Sequence, residues 1–269
     1  MINQKIQELR KLKNNIQVSG DLKVFDDGPS IIMCNHNCLK DIFYLPLGLS
    51  LDDRILSLIS SRLIYKQITE RQDLINKYLY SMPIEAHGGP NYTNMCLSAA
   101  TSLLLDNNHL NIFPEGAYIK DKQIHKGRTG AAQILFAAKE QGTCANIIPV
   151  AIKVDSEEKD LDSYNLKEED NITIKVLEPL DYDEDYYNYL NSGNFNEKNI
   201  CLHNVIDNGM KQISKVLNRE YIDSYIKLDY KGNVIFENGD KIEVALANTE
   251  HYLSLYQESI KSRTRALKR

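Results

Sequence analysis

Short apolar runs alternate with longer segments of helical periodicity between residues 30 and 154. The runs predicted as strands are "SIIMCNH", "DRILSLIS", "YSMPIEA", "LNIFPEG" and "ANIIPVAIKV". Helices are predicted over residues 62–80, 94–107 and 127–142, and Gly142 is a typical stop signal for the last of them. Because strands that alternate with helices usually form parallel sheets, the pattern predicts an α/β fold with a mixed, largely parallel sheet flanked by helices.

The first residues of the chain have a different periodicity. In residues 2–16 apolar side chains recur at steps of four, three, three and four, and basic side chains fill much of the other face. This spacing predicts an N-terminal amphipathic helix, assigned to residues 1–24. Two interpretations stay open: the apolar stripe packs on the rest of the chain, or the helix lies on anionic lipid.

The composition changes after this region. Residues 155–187 carry thirteen acidic residues against three lysines, so we expect solvated loops around a strand at 171–180. A helix is predicted at 198–218, an Asn-Gly pair predicts a β-hairpin within 225–244, and the last stretch of the chain is a basic helix. The predicted units are the N-terminal helix 1–24, an α/β domain over 25–220, and a small hairpin and helix extension over 221–269.

Composition and charge exclude several classes of protein. The net charge of −5 argues against a nucleic-acid partner. The five cysteines are scattered and odd in number, which fits a reduced, cytoplasmic setting. Cys34 and Cys38 lack a convincing second pair of ligands, so no metal site is predicted. No apolar segment reaches the ~20 residues of a membrane-spanning helix, which leaves peripheral contact with the inner face of a membrane open.

A histidine and an aspartate follow the first predicted strand, in the stretch "CNHNCLKD". His36 is suited to moving a proton near neutral pH, and an aspartate bonded to one ring nitrogen fixes the tautomer and stabilises the charged ring. The gap to Asp41 suits a loop that turns into a helix and folds the carboxylate back to the ring. Spacing alone leaves a catalytic pair and two polar loop residues as alternatives. The other histidines, predicted at the surface or in loops, are His87, His109, His125, His203 and His251.

The stretch "NIFPEGAY" ends another predicted strand. Pro114 and Gly116 are typical turn residues, so a simple strand-to-loop turn is one interpretation. The other is a second part of the same site, because ligand sites gather at the carboxyl ends of strands in α/β sheets. The turn would then present backbone amides beside the carboxylate of Glu115.

In their combination and order, these stretches resemble the glycerolipid acyltransferases of the lysophosphatidic acid acyltransferase type. The matching residues are Asn35, His36 and Asp41 for an N-H-x4-D block, Phe113, Pro114, Glu115 and Gly116 for an F-P-E-G-T-R block, and Ile148, Pro149 and Val150 for a V-P-V-x-I-like block. A further block of the family is matched only loosely, by "SMPIEAHGG". The resemblance covers about residues 25–155.

The resemblance implies an acyltransferase with a glycerol-3-phosphate acyltransferase-like fold. His36 would take the proton of an acceptor hydroxyl as general base, and Asp41 would orient it. Cys38 would not be a nucleophile, since this chemistry needs no acyl-enzyme. The donor would be a thioester, acyl-CoA or acyl-carrier protein, the acceptor a lysophospholipid-like lipid or another small molecule, and no bound cofactor is expected. Glu115 and Gly116 would shape the acceptor pocket, and a backbone amide near Gly116 would stabilise the oxyanion.

The chain departs from this family where arginines usually hold the phosphate of the acceptor, because His87 and Tyr118 stand at those positions. Losing two guanidinium groups removes a bidentate grip on phosphate. Either another cation replaces them, or the acceptor is not a simple glycerol phosphate. The candidate replacements are Arg62, Lys126 and Arg128. The full predicted set of substrate-binding residues is Asn35, Arg62, His87, Phe113, Glu115, Gly116, Tyr118, Lys126 and Arg128.

Two further functions stay open. A specialised acyltransferase that acts on an amine or on an alcohol without phosphate would fit the missing arginines. A non-catalytic acyl-chain-binding protein on the same fold is the other alternative, although a pure binder has no need of a base such as His36.

Overall fold

The computed structural model describes residues 15–38, 40–49, 55–60, 80–84, 89–117, 122–155 and 171–226. The strands in these residues are β1 (Ile16–Ser19), β2 (Ser30–Cys34), β3 (Ile55–Ser60), β4 (Tyr80–Ile84), β5 (His109–Ile112), β6 (Ile124–His125), β7 (Asn146–Asp155), β8 (Asn171–Val176) and β9 (Tyr221–Ile222). The helices are α1 (Asp41–Leu49), α2 (Gly89–Leu105), α3 (Gly130–Glu140), α4 (Asp183–Asn191) and α5 (Phe195–Leu217), with a 3₁₀ turn at Leu22–Phe25.

Seven strands form one sheet in the order β1-β8-β7-β2-β5-β3-β4. Neighbouring strands are parallel, except that β7 and β8 are antiparallel. β6 and β9 form a separate parallel pair. The prediction of a mixed, largely parallel sheet flanked by helices is therefore confirmed.

The central strands β2 and β5 are buried on both faces because helices cover both sides of the sheet. Every residue of β2 is buried, and so is every residue of β5. Alternate residues of β2 face opposite layers: Ile31 and Met33 pack with α2, α3 and α5, whereas Ile32 and Cys34 pack with α1. β8, which lies beside the edge strand, instead alternates exposed and buried residues, as strands with one solvated face do.

Helix α5 lies close against the sheet where it carries a glycine. A Cβ atom added to Gly209 would lie 1.8 Å from Cε of Met33. A larger residue at this position would displace the end of the Met33 side chain. The contact anchors α5 on β2, the strand that leads into the His36 loop.

The predicted N-terminal helix 1–24 is wrong in its second half. Ile16–Ser19 form β1 and Leu22–Phe25 form a 3₁₀ turn. The two apolar residues of β1 alternate with two exposed polar ones, a period of two that the helical spacing before it concealed. Because β1 pairs with β8, the α/β domain includes residue 16 and does not start at 25. Residues 1–14 lie outside the described part of the chain.

The acidic segment contains a helix where we predicted a solvated loop. Three acidic residues occupy the first turn of α4, where the positive end of the helix dipole stabilises them. Further along, Tyr186 and Tyr189 contact the ring of Phe136 in α3, with ring centroids 5.2 and 5.1 Å apart. These two tyrosines pack α4 against α3, and the acidic composition of the segment did not indicate this contact. The predicted strand is confirmed as β8, and residues 156–170 lie outside the described part.

The C-terminal extension begins against the α/β domain, because β9 pairs with β6. The predicted hairpin, apart from residues 225 and 226, and the predicted final helix lie outside the described residues. The same holds for the predicted helix 62–80 except for Tyr80, which begins β4. Among the described residues, no helix is long and apolar enough to cross a membrane. The surface or loop position predicted for His109 and His125 is wrong: both are buried, because each belongs to a strand.

Candidate active site

The two motif-bearing loops meet at one edge of the sheet. β2 and β5 are parallel neighbours, with Met33 opposite Ile112. The loop that follows β2 carries His36, and the turn that follows β5 carries Glu115. Both therefore leave the sheet at its carboxyl edge, which is where α/β sheets place ligand sites.

His36 and Asp41 form a buried pair. Nδ1 of the histidine lies 3.0 Å from Oδ2 of the aspartate, and the two side chains are 8% and 0% exposed. Because an ionised carboxylate only accepts hydrogen bonds, the proton of the neutral ring is on Nδ1 and the lone pair is on Nε2. A general base needs this tautomer, so the geometry fits the predicted roles.

The carboxylate of Asp41 is fixed by the loop that precedes it. Asp41 is the first residue of α1, and its Oδ2 accepts the backbone N–H of Asn37 at 2.6 Å and that of Cys38 at 2.9 Å. The Cys38 thiol donates to Oδ1 at 3.3 Å. A negative charge is also stabilised at the N-terminus of a helix. These donors hold the carboxylate against the ring of His36.

Phe113 covers one face of the His36 ring. The two ring centroids are 4.3 Å apart and the planes differ by 21°. Since Phe113 directly follows β5, this stack joins the two loops of the site. With Asp41 at one nitrogen and Phe113 against one face, the imidazole is restricted in rotation.

Glu115 connects the His36 loop with β6. Its Oε2 accepts the backbone N–H of His36 at 2.8 Å, and its Oε1 accepts that of His125 at 2.9 Å. The carboxylate is almost fully buried, and a buried charge needs hydrogen-bond partners of this kind. The structure thus gives Glu115 a positioning contact, and its role in an acceptor pocket stays a prediction.

Replacing Glu115 with glutamine is expected to lower the free energy of unfolding by about 1–3 kcal/mol, because one backbone N–H would face an amide NH₂ instead of an acceptor. Acyl transfer should fall as well, because the backbone N–H that loses its acceptor belongs either to His36 or to His125. Urea unfolding measures the first effect. Glu140→Gln, at the exposed C-terminal end of α3, is the matched control. Equal stability of the two variants would contradict the bridging role.

Asn35 extends the pairing of β2 beyond its last backbone partner. The ladder between β2 and β7 ends at Cys34 opposite Val150. The Asn35 side chain then donates to the carbonyl of Ile152 at 3.0 Å and accepts from the N–H of Ile152 at 2.9 Å. Both ends of this buried amide contact β7, so it anchors the start of the His36 loop. Its predicted contact with substrate stays a prediction.

The cysteines beside the site are poor nucleophiles. Burial raises the pKa of the Cys38 thiol well above its ordinary value, and the charge of Asp41 adds to the effect. Burial and the charges of Asp41 and Glu115 also raise the pKa of Cys34. The thiolate is the reactive form of cysteine, and both residues stay protonated near neutral pH. This agrees with the expectation that Cys38 is not a nucleophile.

Comparison with known proteins places this site within a family. A protein-family model described as "Acyltransferase" matches residues 15–153, more than half of the chain. The chain belongs to the acyltransferase family. The match begins just before β1, ends within β7 and includes both loops of the site. The protein is therefore an acyltransferase enzyme.

The crystal structure of the 1-acyl-sn-glycerophosphate (LPA) acyltransferase PlsC from Thermotoga maritima is among the solved structures that are similar to this acyltransferase. The two chains are 18% identical, the alignment covers 77% of this chain and 79% of that one, and the TM-score is 0.45. No relative was found among curated proteins.

Gly116 and Arg128 of the acyltransferase lie side by side. Gly116 has a φ of +75°, which glycine adopts readily, and its N–H donates to the carbonyl of Phe113 at 3.0 Å. That amide belongs to the turn, so an oxyanion donor would be a different one. A Cβ atom at Gly116 would lie 3.0 Å from Nε of Arg128. The backbone N–H of Arg128 donates to the carbonyl of Pro114 at 2.7 Å. Arg128 is therefore held beside the motif turn with an exposed side chain.

Lys126 turns toward the C-terminal segment instead. Its Nζ lies 2.6 Å from Oδ1 of Asp223 and 3.6 Å from Oδ2 of Asp207. The hydrogen bond to Asp223 raises the pKa of Lys126. Because two carboxylates compete for this ammonium group, Lys126 is a weaker candidate for binding phosphate than Arg128. The remaining predicted residues, which lie outside the described part of the chain, are Arg62, His87 and Tyr118.

Sequence reasoning missed Asn37 and Arg219. Nη1 of Arg219 donates to Oδ1 of Asn37, and Nδ2 of Asn37 donates to the carbonyl of Ile152 at 2.5 Å. Arg219 and Asn37 are 182 positions apart, and no spacing rule links residues at that distance. The only signal in the sequence was the position of Asn37 directly after His36.

Proposed function

We propose that this acyltransferase moves a fatty acyl group from a thioester donor, acyl-CoA or acyl-carrier protein, to a hydroxyl of a lysophospholipid-like acceptor, as a step of phospholipid biosynthesis. The observation that carries the proposal is the buried His36–Asp41 pair at the carboxyl edge of the sheet, inside the part of the chain that matches the family. A cytoplasmic position with peripheral contact at the inner face of a membrane would bring the enzyme to such an acceptor.

The reaction uses Nε2 of His36 as the base. Nε2 takes the proton from the acceptor hydroxyl while its oxygen forms a bond to the carbonyl carbon of the thioester. Asp41 stabilises the imidazolium that results. The tetrahedral intermediate then collapses, the carbon–sulfur bond breaks, and the proton passes from Nε2 to the leaving thiolate. The products are an ester and a free thiol, and His36 returns to its starting state.

Arg128 is the residue we propose for the phosphate of the acceptor. Its guanidinium group lies beside Gly116, next to the turn that contacts the His36 loop. Planar guanidinium groups bind phosphate through paired hydrogen bonds, and an exposed one is accessible to a ligand. The Arg128 guanidinium group also lies over the ring of Tyr225, with Cζ 5.6 Å from the ring centroid, and this contact supports the side chain.

Replacing Arg128 with alanine is expected to raise the KM for a lysophospholipid by about tenfold, with kcat little changed, because a charged hydrogen bond worth about 1.5 kcal/mol is lost. An acceptor without phosphate should be unaffected. Mass spectrometry of acyl transfer to a panel of acceptors measures both values, with Lys198→Ala in α5 as the control. Robust acylation of free glycerol 3-phosphate that Arg128→Ala leaves unchanged would contradict the proposed role.

The same panel tests the two alternative functions. Replacement of the usual arginines by His87 and Tyr118 favours an amine or a phosphate-free alcohol as the acceptor. Turnover with such acceptors and none with lysophospholipids would select that function. Binding of acyl-CoA without turnover on any acceptor would instead favour an acyl-chain-binding protein.

A further inference from the structure

We propose that Arg219 is a positioning residue for the catalytic pair, acting through Asn37. Arg219 lies after α5, beyond the part of the chain that matches the acyltransferase family. It nevertheless donates a hydrogen bond to the residue that directly follows His36. The proposal deepens the proposed function and rests on it, because it assigns to the C-terminal part of the chain the task of holding the base in place.

Asn37 is the point where three constraints meet. Its Oδ1 accepts from Arg219, its Nδ2 donates to the carbonyl of Ile152 at 2.5 Å, and its backbone N–H donates to Oδ2 of Asp41 at 2.6 Å. The last contact involves the oxygen that also bonds Nδ1 of His36. A shift of Asn37 would therefore move the carboxylate that orients the base.

The backbone around Arg219 is itself fixed by hydrogen bonds, so its side chain can hold Asn37 in place. Asn218 ends α5 in the left-handed region with a φ of +51°. The N–H of Arg219 then donates to the carbonyl of Ser214 at 3.0 Å, and the Ser214 hydroxyl donates to the carbonyl of Arg219 at 2.6 Å. One residue later, the carbonyl of Glu220 accepts the N–H of Ile124 at 2.9 Å. These contacts fix the backbone of Arg219 and of the residues next to it.

The contact between Arg219 and Asn37 joins the end of α5 to the His36 loop, which the sheet alone does not connect. Helix α5 packs on β2 through Gly209, and β9 pairs with β6, the strand that Glu115 also contacts through His125. The His36 loop is thereby held from β7 by Asn35 and from the end of α5 by Arg219. Small displacements of a catalytic group can lower the rate by about 100-fold, so loss of the contact between Arg219 and Asn37 should have a measurable effect on the rate.

Replacing Arg219 with alanine is expected to lower kcat by about 10- to 100-fold while the KM values for donor and acceptor stay within about twofold, since misplacement of the base affects the chemical step. Lys215→Ala, an exposed residue in the last turn of the same helix, removes an equal charge and should leave kcat unchanged. A raised KM with unchanged kcat would overturn the proposal, because it would make Arg219 a substrate-binding residue.

A double-mutant cycle tests whether Arg219 acts through Asn37. If it does, Arg219→Ala should have little further effect on kcat in an Asn37→Ala background, because the partner is already gone. Additive losses would overturn the proposal. Thermal unfolding of each variant distinguishes a local effect from a general loss of stability, and a fall in melting temperature as large as that of Glu115→Gln would also count against it.

Hydrogen exchange provides a test that needs no turnover. The peptide that spans residues 34–41 contains the amides of Asn37 and Cys38, both of which donate to Asp41. In Arg219→Ala these amides should exchange faster, while peptides from α3 keep their rates. Unchanged exchange of the 34–41 peptide would overturn the proposal that Arg219 holds this loop in place. If the wild-type enzyme transfers no acyl group to any acceptor, the proposed function fails, and the exchange result still decides the contact.

Discussion

Replacing His36 with alanine is expected to reduce acyl transfer by about 10³- to 10⁴-fold, because the acceptor hydroxyl would lose the only base that we assign to it. The protein should stay folded. The His36 side chain contacts Asp41 and Phe113, and the end of β2 next to it is held by the Asn35 side chain, which bonds Ile152 of β7. Initial rates from a thioester donor, measured by mass spectrometry, give the loss in activity. Circular dichroism and thermal unfolding check the fold.

Cys38→Ala is the matched control for this variant. Its thiol makes a weak hydrogen bond to Asp41, so its loss should cost less than about tenfold in rate. If Cys38→Ala were as inactive as His36→Ala, an acyl-enzyme on the thiol would replace the base mechanism. Near-normal activity of His36→Ala in a well-folded protein would exclude His36 as the base.

Replacing Asp41 with asparagine is expected to lower kcat by about 10²- to 10⁴-fold and the free energy of unfolding by about 1–3 kcal/mol. Oδ2 of Asp41 accepts from Nδ1 of His36 and from the backbone N–H groups of Asn37 and Cys38. An amide presents an NH₂ group to one side of this set. Either the imidazole changes tautomer and places its proton on Nε2, or a backbone donor loses its acceptor.

Steady-state kinetics and urea unfolding separate the two consequences. Asp106→Asn, at the exposed end of α2, makes the same chemical change away from the His36 loop and should alter neither value. Asp41→Asn with full stability and full activity would remove the orienting role. Loss of stability without loss of activity would leave Asp41 with a structural role alone, as the acceptor for the loop amides of Asn37 and Cys38.

The alternation of apolar runs and helical segments predicted the strands β2, β3, β4, β5 and β7 and the helices α2 and α3 correctly. It worked because strands buried on both faces, such as β2 and β7, need continuous apolar sequence. The fold-back of Asp41 onto His36 was predictable for a similar reason. Both residues lie in one short loop that runs from a strand into a helix, so local geometry decides their contact.

The roles of Asn35 and Glu115 were not predictable from one sequence. Both side chains bond backbone groups of residues that are distant along the chain: Ile152 for Asn35, and His36 and His125 for Glu115. A backbone amide has the same chemistry at every position, so no residue type marks such a partner. The helix α4 was missed because acidic composition hid the tyrosines that pack on α3.

The sequence by itself predicted the α/β class, the strand ends that carry the motif residues and a contact between Asp41 and His36. These follow from local periodicity and short loops, which nearby residues control. Only the tertiary structure decided that Glu115 and Asn35 hold the His36 loop, that Lys126 is engaged by Asp223 and Asp207, and that Arg219 reaches Asn37. Those contacts depend on how α5 and β9 pack against the sheet, and that packing is set by the sum of many side chains.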